Sequence, residues 1–231
     1  MRKKQEMFAL DPTLLLFFLI AFISEVIGAI AGFGSSTIFL PLALFFLDFK
    51  TALILVAISH LIGNIGRINF FRHGLDKKMI ITFGIPSILL SFLGASLVGI
   101  LPQSILQIIL GIFLIAFSVL FLLKPSLKFA TNTRTTITGG GISGFITGIV
   151  GTGGALATDS TRIPLYLYQG FLLPQYYYYI PIFFVTAIGG SFLGRKIVGR
   201  INQTTFKKIV LLSIILVSIK FIIDGSSSIL K

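Results

Sequence analysis

The feature that most constrains this chain is a stretch of 45 residues, 79–123, that contains no charged side chain. A helix needs about 20 apolar residues to cross the hydrocarbon core of a bilayer, so the stretch is long enough for two crossings. The segment LPQS (101–104) divides it near the middle, and its proline and polar residues favour a turn. The sequence therefore predicts two membrane-spanning helices joined by a short connection.

The composition extends this conclusion to the whole chain. Of its 231 residues, 55% are hydrophobic and 11% are charged, and the mean hydropathy is +1.01. A soluble domain carries about 25% charged residues, so a water-soluble fold is excluded. The net charge of +12 comes from basic residues in the connections, where they orient helices and contact anionic lipid. We therefore expect membrane lipid, and no nucleic acid, among the partners.

The residue types present also narrow the chemistry. The chain has no cysteine and two histidines, which excludes disulfides and thiolate nucleophiles and argues against a metal enzyme. It contains no G-x-S-x-G, H-E-x-x-H or phosphate-loop motif. We expect no catalytic residues, no metal and no cofactor, and we interpret the chain as a membrane protein that is not an enzyme.

The apolar segments show no ten-residue alternation of the kind found in membrane β-barrels. The predicted fold class is therefore an all-α integral membrane protein, a polytopic helical bundle of about seven to eight spans. The segment 35–47 is apolar but too short to cross, as in a re-entrant or half-spanning helix. We divide the chain into a basic N-terminal tail (1–11), transmembrane repeat 1 (12–123), a polar linker (124–136), transmembrane repeat 2 (137–224) and a C-terminal tail (225–231).

The two halves resemble each other. IPSILLSFLGASLVG (85–99) aligns without gaps with IPIFFVTAIGGSFLG (180–194) at an offset of 95, whereas AIAGFGSS (29–36) aligns with GIVGTGGA (148–155) at an offset of 119. The difference shows that repeat 2 lacks 24 residues, about one transmembrane helix. The shortfall lies between its glycine motif and Arg162.

Charged connections suggest how the halves are oriented. In the first half the connection 72–78 is basic and 100–104 is uncharged, whereas in the second half 170–175 is uncharged and 195–208 is basic. If basic connections face the cytoplasm, the halves are oppositely oriented. This pattern predicts inverted-topology repeats, in which broken helices bind substrate near the midplane.

Two glycine motifs lie deep within apolar sequence at equivalent repeat positions. A helix broken there leaves backbone N–H groups and a positive dipole end available to an anion, although small residues also serve close helix packing. We favour substrate binding and predict these contributors: Gly32, Gly34, Ser35 and Ser36 in the first motif, and Gly151, Thr152, Gly153 and Gly154 in the second.

Two arginines are candidates for direct anion contact, because a guanidinium can bind two oxygens at once. Asn64 and Arg67 lie three residues apart on one helix face, and Asp159 and Arg162 repeat that spacing. Arg67 could instead extend to the interface, and Asp159 could neutralise Arg162. All four are predicted to contribute to substrate binding.

Two further titratable residues are candidates for proton coupling. Glu25 is the one carboxylate inside the first apolar span, and burial disfavours the charged form of a carboxylate. His60 lies four residues before Asn64 on the same helix face, and imidazole titrates near neutral pH. Either residue could equally be a structural partner of an arginine.

These residues resemble a known family. GAIAGFGSSTIFLPLAL with ISHLIGNIGRINFFRHGLDKK in the first half, and GGGISGFITGIVGTGG with STRIPLYLYQG in the second, are similar to the sulfite exporter TauE/SafE family of membrane permeases. The resemblance runs from about residue 12 to 224. It implies two homologous repeats and carriage of small sulfur-containing or organic anions, and by motif position it points to Gly32, Gly34, Gly151, Gly153 and Gly154. Family members would have a helical segment where this chain lacks 24 residues.

The predicted function is transport or export of a small anion, such as sulfite, a sulfonate or a related organic anion, with proton coupling as a further hypothesis. The alternative is a non-transporting membrane scaffold or a defective family member, because repeat 2 is short. We expect a multi-pass protein of a bacterial or archaeal cell membrane whose partners are a small anionic substrate and lipid, and we leave homo-oligomer formation open.

Overall fold

The computed structural model describes residues 12–71, 77–125, 132–152 and 156–230. The regular structure in these residues is helical, which confirms the predicted all-α class. The α-helices are α1 (Pro12–Ala31), α2 (Ser36–Ala43), α3 (Phe49–Phe71), α4 (Lys77–Ile100), α5 (Gln103–Leu123), α6 (Thr133–Val150), α7 (Leu156–Tyr168), α8 (Tyr179–Val198) and α9 (Gln203–Ile229), with one 3₁₀ turn at Pro174–Tyr176.

Six of the described helices are long and apolar enough to cross a membrane. They are α1, α3, α4, α5, α8 together with the 3₁₀ turn before it, and α9. Many of their large side chains are exposed, such as Leu89 and Leu216, as expected of surfaces that face lipid. The chain is a multi-pass membrane protein. The count of seven to eight spans stays a prediction.

Two element boundaries differ from the sequence division. Helix α6 begins at Thr133, inside the predicted linker, because the Asn132 side chain accepts a hydrogen bond from the Thr135 N–H at 2.8 Å and caps the helix. Helix α9 continues to Ile229, through most of the predicted C-terminal tail. The predicted N-terminal tail, Gly153 and Gly154 lie outside the described residues.

The first glycine motif breaks the helix between α1 and α2. Gly32 and Gly34 have φ angles of +81° and +90°, a region that residues with a Cβ rarely adopt. The Gly32 N–H still bonds to the Gly28 carbonyl at 3.0 Å, so α1 ends with its last turn closed. Helix α2 then starts at Ser36, with Ser35 as its N-cap residue.

The second glycine motif ends α6 in the same way. Gly151 has a φ angle of +76°, and its N–H bonds to the Thr147 carbonyl at 2.8 Å, a left-handed helix C-terminus. Helix α7 then begins at Leu156, which the offset of 95 equates with Leu61 of α3. The 13-residue α7 therefore corresponds to the later part of α3, and the missing residues correspond to α2 and the start of α3.

Glycines bring the helices of the two halves together in parallel pairs. In α6, Cβ atoms at Gly144 and Gly148 would collide with the Ser87 and Ser91 carbonyls of α4. In α8, Cβ atoms at Gly190 and Gly194 would lie 2.8 and 2.9 Å from the Phe22 and Val26 carbonyls of α1. In both pairs residue numbers rise together along the contact, so the helices run in the same direction.

Two other pairs run in opposite directions. In α5 and α9, Gly111 lies against Ser218, whereas Gly225 lies against Ser104. In α3 and α7, Thr51 donates a hydrogen bond to the Phe171 carbonyl just beyond α7, whereas Asn64 reaches the first turns of α7. The alignment offset of 95 equates α7 with the later part of α3, and it places α5 on residues 198–218, most of which lie in α9.

Gly144→Ala tests the close packing of α4 on α6. The new methyl group would collide with the Ser87 backbone, so we expect a loss of about 1–3 kcal/mol from overpacking, although alanine favours a helix over glycine by about 1 kcal/mol. Gly139→Ala on the same helix is the control, since a Cβ there meets nothing within 4 Å. Thermal unfolding in detergent measures both. An unfolding midpoint for Gly144→Ala that is no lower than that of Gly139→Ala would contradict the contact, because the control gains the same helix propensity without the collision.

Candidate functional site

Glu25 on α1 is a buried carboxylate in the interior of the bundle. Its Oε1 atom accepts a hydrogen bond from the Ser35 hydroxyl at 2.5 Å, and its Oε2 atom accepts one from the Ser191 hydroxyl of α8 at 3.4 Å. A Cβ at Gly63 would lie 2.5 Å from Oε2, so this glycine makes room for the carboxylate between the helices. Glu25 therefore joins α1, α2, α3 and α8.

Arg67 connects Glu25 to the later part of α3. Its Nη1 atom lies 3.4 Å from Glu25 Oε2, and its Nη2 atom donates a 2.8 Å hydrogen bond to Asn64 Oδ1. The side chain is 17% exposed. Arg67 is therefore held toward the bundle interior rather than extended to the interface.

Asp159 on α7 is the next member and contacts both halves of the chain. Its Oδ2 atom lies 2.8 Å from His60 Nδ1 and accepts a longer hydrogen bond from Asn64 Nδ2 at 3.4 Å. Its Oδ1 atom pairs with Arg162 Nη2. The predicted neutralisation of Arg162 by Asp159 is thus what the geometry shows.

Arg162 is fully buried, at 0% exposure. Its Nη1 atom donates a 2.8 Å hydrogen bond to the Thr147 carbonyl, which also accepts the Gly151 N–H. The Tyr166 hydroxyl donates to the neighbouring Gly148 carbonyl at 3.0 Å. These bonds tie α7 to the last turn of α6, so Arg162 has a structural role at the second glycine break.

We call this set the buried polar cluster. Its members are Glu25, Ser35, His60, Asn64, Arg67, Asp159, Arg162 and Ser191. The cluster contains two carboxylates and two guanidiniums, arranged as two ion pairs. Buried charges persist when they are paired and hydrogen-bonded, and charged residues inside a membrane bundle usually have functional roles.

The other predicted site residues lie around this cluster. Gly34 and Ser36 line the turn into α2, where Ser36 is buried, and Gly32 is exposed. A Cβ at Gly151 would collide with Leu53 of α3 and lie 3.3 Å from Leu40 of α2. The second glycine break therefore packs on the helices that carry the first. Thr152 is buried beside it, and its hydroxyl has no hydrogen-bond partner among the residues that the structure describes.

Sequence reasoning missed two contributors. Ser191 coincides with Ser96 in the repeat alignment, a signal that could have identified it. Tyr166 lies one helical turn after Arg162, but nothing in the sequence says that its hydroxyl reaches the Gly148 carbonyl. In the described residues, no group of three or more His, Cys, Asp or Glu side chains could hold a metal ion.

A separate cavity of about 370 Å³ lies at the start of α3. Lys50 donates a 3.0 Å hydrogen bond to the Gly99 carbonyl, and Gln169 donates to the Ser96 carbonyl at 3.4 Å. These contacts gather the start of α3 and the ends of α4 and α7 at one face of the bundle. Thr51 at the cavity and His60 in the cluster are nine residues apart, about 13 Å along a helix.

Arg162→Gln and Asp159→Asn test the buried pair. Each single change leaves one uncompensated buried charge, which costs about 3–5 kcal/mol, so both should lower the unfolding midpoint in detergent. The double variant removes both charges and should recover most of the loss. Equal losses that simply add in the double variant would contradict a coupled pair.

The comparisons with known proteins bear on this arrangement. The family described as "Sulfite exporter TauE/SafE" matches residues 16–159, which covers the first half and the second half as far as Asp159. No curated protein and no solved structure matches the chain significantly. The match spans more than half of the chain and agrees with the six apolar helices, and it shows that this chain belongs to the sulfite exporter TauE/SafE family of membrane transporters.

Proposed function

We propose that this chain carries a small sulfur-containing anion, such as sulfite, a sulfonate or a related organic anion, across a bacterial or archaeal cell membrane. The observation that carries the proposal is the buried polar cluster itself. It lies at a helix break inside an apolar bundle and is shared between the two halves. A structural pair alone would not require Glu25, Arg67 and Asn64 beside the break.

The anion binds at the first glycine break, at the N-terminus of α2. Ser35 is the N-cap residue of α2, but its hydroxyl donates to Glu25 and does not cap the helix. The positive end of the α2 dipole is therefore not neutralised by its own cap. Arg67 supplies the forked donor. It is partly exposed, its Nη2 atom donates to a neutral amide, and its Nη1 atom is ion-paired with Glu25 at 3.4 Å but has no hydrogen-bond partner among the described residues.

Transport uses inverted repeats. In the proposed repeats, α1 is equivalent to α6, α3 to α7, α4 to α8, and α5 to α9. A rotation that interchanges the two halves then superimposes the parallel pair α1–α8 on the parallel pair α6–α4. The pairs α3–α7 and α5–α9 each consist of two equivalent helices, which run in opposite directions. A twofold axis in the membrane plane produces such antiparallel pairs, whereas an axis along the membrane normal would make them parallel. Asn64 and Asp159 are equivalent by the offset of 95 and lie within 3.4 Å of each other, as residues beside that axis must.

Helix α6 is then a seventh span. It packs in parallel along α4 from Phe83 to Ser91, so it lies at the same depth in the bundle. Its 18 residues give about 27 Å of helix. Glycine and threonine lower its hydropathy but serve the close packing that a helix interface in a membrane needs.

The scaffold alternative is less well supported. The shortened second half still delivers Asp159 and Arg162 to the buried polar cluster. The residues that it lacks correspond to α2 and the start of α3, whose first copies are present. The matched family is a transporter family, which favours transport over an enzymatic role.

Labelled-sulfite counterflow in liposomes tests the function. The unmodified chain should show saturable exchange, and Arg67→Gln should reduce it about tenfold or more, because a charge-assisted hydrogen bond contributes about 1.5–3 kcal/mol. Lys220→Gln is the control, since Lys220 pairs with Asp224 on the exposed side of α9 and should not change exchange. No exchange by the unmodified chain would favour a scaffold.

Cysteine labelling tests the topology, and the chain has no native cysteine to interfere. The contacts of Lys50 and Gln169 place the connections after α4 and α7 at one face. The basic connection after α8 is then at the opposite, cytoplasmic face. In intact cells an impermeant thiol reagent should label Gln175→Cys and spare Gly199→Cys. The reverse pattern would invert the orientation, and labelling of both would contradict it.

A further inference from the structure

His60, Arg67 and Arg162 are the members of the buried polar cluster that have a side-chain nitrogen with no hydrogen-bond partner among the described residues. Of the three, only His60 can change its charge near neutral pH. The side chain is 1% exposed, its Nδ1 atom faces Asp159 Oδ2 at 2.8 Å, and its Nε2 atom has no hydrogen-bond partner in the described residues. A Cβ at Gly34 would lie 3.4 Å from Nε2. The unpartnered nitrogen is thus aimed at the first glycine break, where the proposed anion binds.

The contact between Nδ1 and Asp159 determines whether Nε2 is a hydrogen-bond donor or an acceptor in each protonation state of the ring. A carboxylate only accepts hydrogen bonds, so Nδ1 carries a proton and its N–H donates a hydrogen bond to Asp159 Oδ2. In the neutral ring, Nε2 then presents a lone pair, which repels an anion. In the imidazolium, Nε2 carries an N–H that donates to an anion.

The charges around His60 determine whether the imidazolium form is favoured when an anion binds. The groups that face it are Asp159 and Arg162 from α7, Glu25 from α1 and Arg67 from its own helix. Helices α2 and α5, which also contact α3, contain no titratable residue, and the cations of α8, Arg195 and Lys196, are exposed.

These four facing charges form two ion pairs and sum to zero. An anion that enters the cluster therefore adds an uncompensated negative charge in a medium of low dielectric constant. Protonation of His60 supplies one positive charge without breaking either pair. Protonation of Glu25 or Asp159 would instead remove the partner of an arginine.

We propose that His60 takes up a proton from water as the anion binds at Gly34, and that the imidazolium Nε2–H donates to the anion. The protein then carries one proton with each anion. This inference rests on the proposed anion transport and assigns its coupling to one side chain, held in the required tautomer by Asp159.

Methanesulfonate is the probe for the test, because a sulfonate stays ionised throughout the range used and brings no proton of its own. Counterflow of labelled methanesulfonate is measured in liposomes from about pH 5 to about pH 9, the range in which imidazole titrates in proteins. On the alkaline side, the affinity of the unmodified chain should fall about tenfold per pH unit, as linkage to one proton requires.

The variants separate His60 from general effects of pH. His60→Gln should weaken methanesulfonate exchange at low pH and make its half-saturation concentration independent of pH. His73→Gln, at the other histidine of the chain, should retain the slope of the unmodified protein. Proton uptake on adding methanesulfonate to weakly buffered protein in detergent should approach one per anion bound, and it should vanish in His60→Gln.

The outcomes distinguish this inference from the function on which it rests. Saturable exchange with no pH dependence, or a slope that His60→Gln retains, overturns the role of His60 and leaves the transporter intact. Absence of exchange of both methanesulfonate and sulfite by the unmodified chain overturns both proposals. If His60→Gln does not fold, the proton uptake of the unmodified protein decides the question, because binding without uptake contradicts the proposal.

Discussion

The structure depends on the Asp159 carboxylate. A negative charge at 0% exposure inside an apolar bundle is unstable unless it is paired, and here Arg162, His60 and Asn64 surround it. Arg162 in turn holds the Thr147 carbonyl at the end of α6. One side chain therefore connects α3 in the first half to α6 and α7 in the second, and the position of each depends on it.

This connection explains how a short second half can complete the bundle. Helix α7 has 13 residues, too few to cross a membrane. It is fixed by the polar contacts of Asp159 and Arg162 and, one turn later, by the hydrogen bond from the Tyr166 hydroxyl to the Gly148 carbonyl. Just beyond its end, the Phe171 carbonyl accepts a hydrogen bond from Thr51 of α3. In the first half of α3, residues Ala52 to Ala57 are buried, so this part of α3 fills the interior of the bundle.

The same residues give the cluster its electrical balance. The two charges within each ion pair cancel, so the pairs contribute no net charge to the cluster. The remaining titratable side chain of the cluster, His60, faces the first glycine break. A site of this kind can hold an anion only if positive charge arrives with it or is already in excess. In the proposed mechanism, a single proton on His60 converts the balanced cluster into an anion site, and the hydrogen bond from His60 to Asp159 joins the structural role of Asp159 to the proposed transport.

The sequence by itself determined the membrane environment, the helical class, the glycine breaks and every residue of the cluster except Ser191, and it predicted two repeats, because hydropathy, φ restrictions and repeat spacing are properties of local sequence. It even paired Asn64 with Asp159 by alignment. The tertiary structure decided between the charge pairings that the sequence left open. In the structure Arg67 pairs with Glu25, and Arg162 pairs with Asp159 and donates a hydrogen bond to the Thr147 carbonyl. Within the part of the chain that the structure describes, it also leaves His60 Nε2 without a hydrogen-bond partner. Ion pairing depends on distances of a few ångströms between helices far apart in the chain, and no local pattern specifies them.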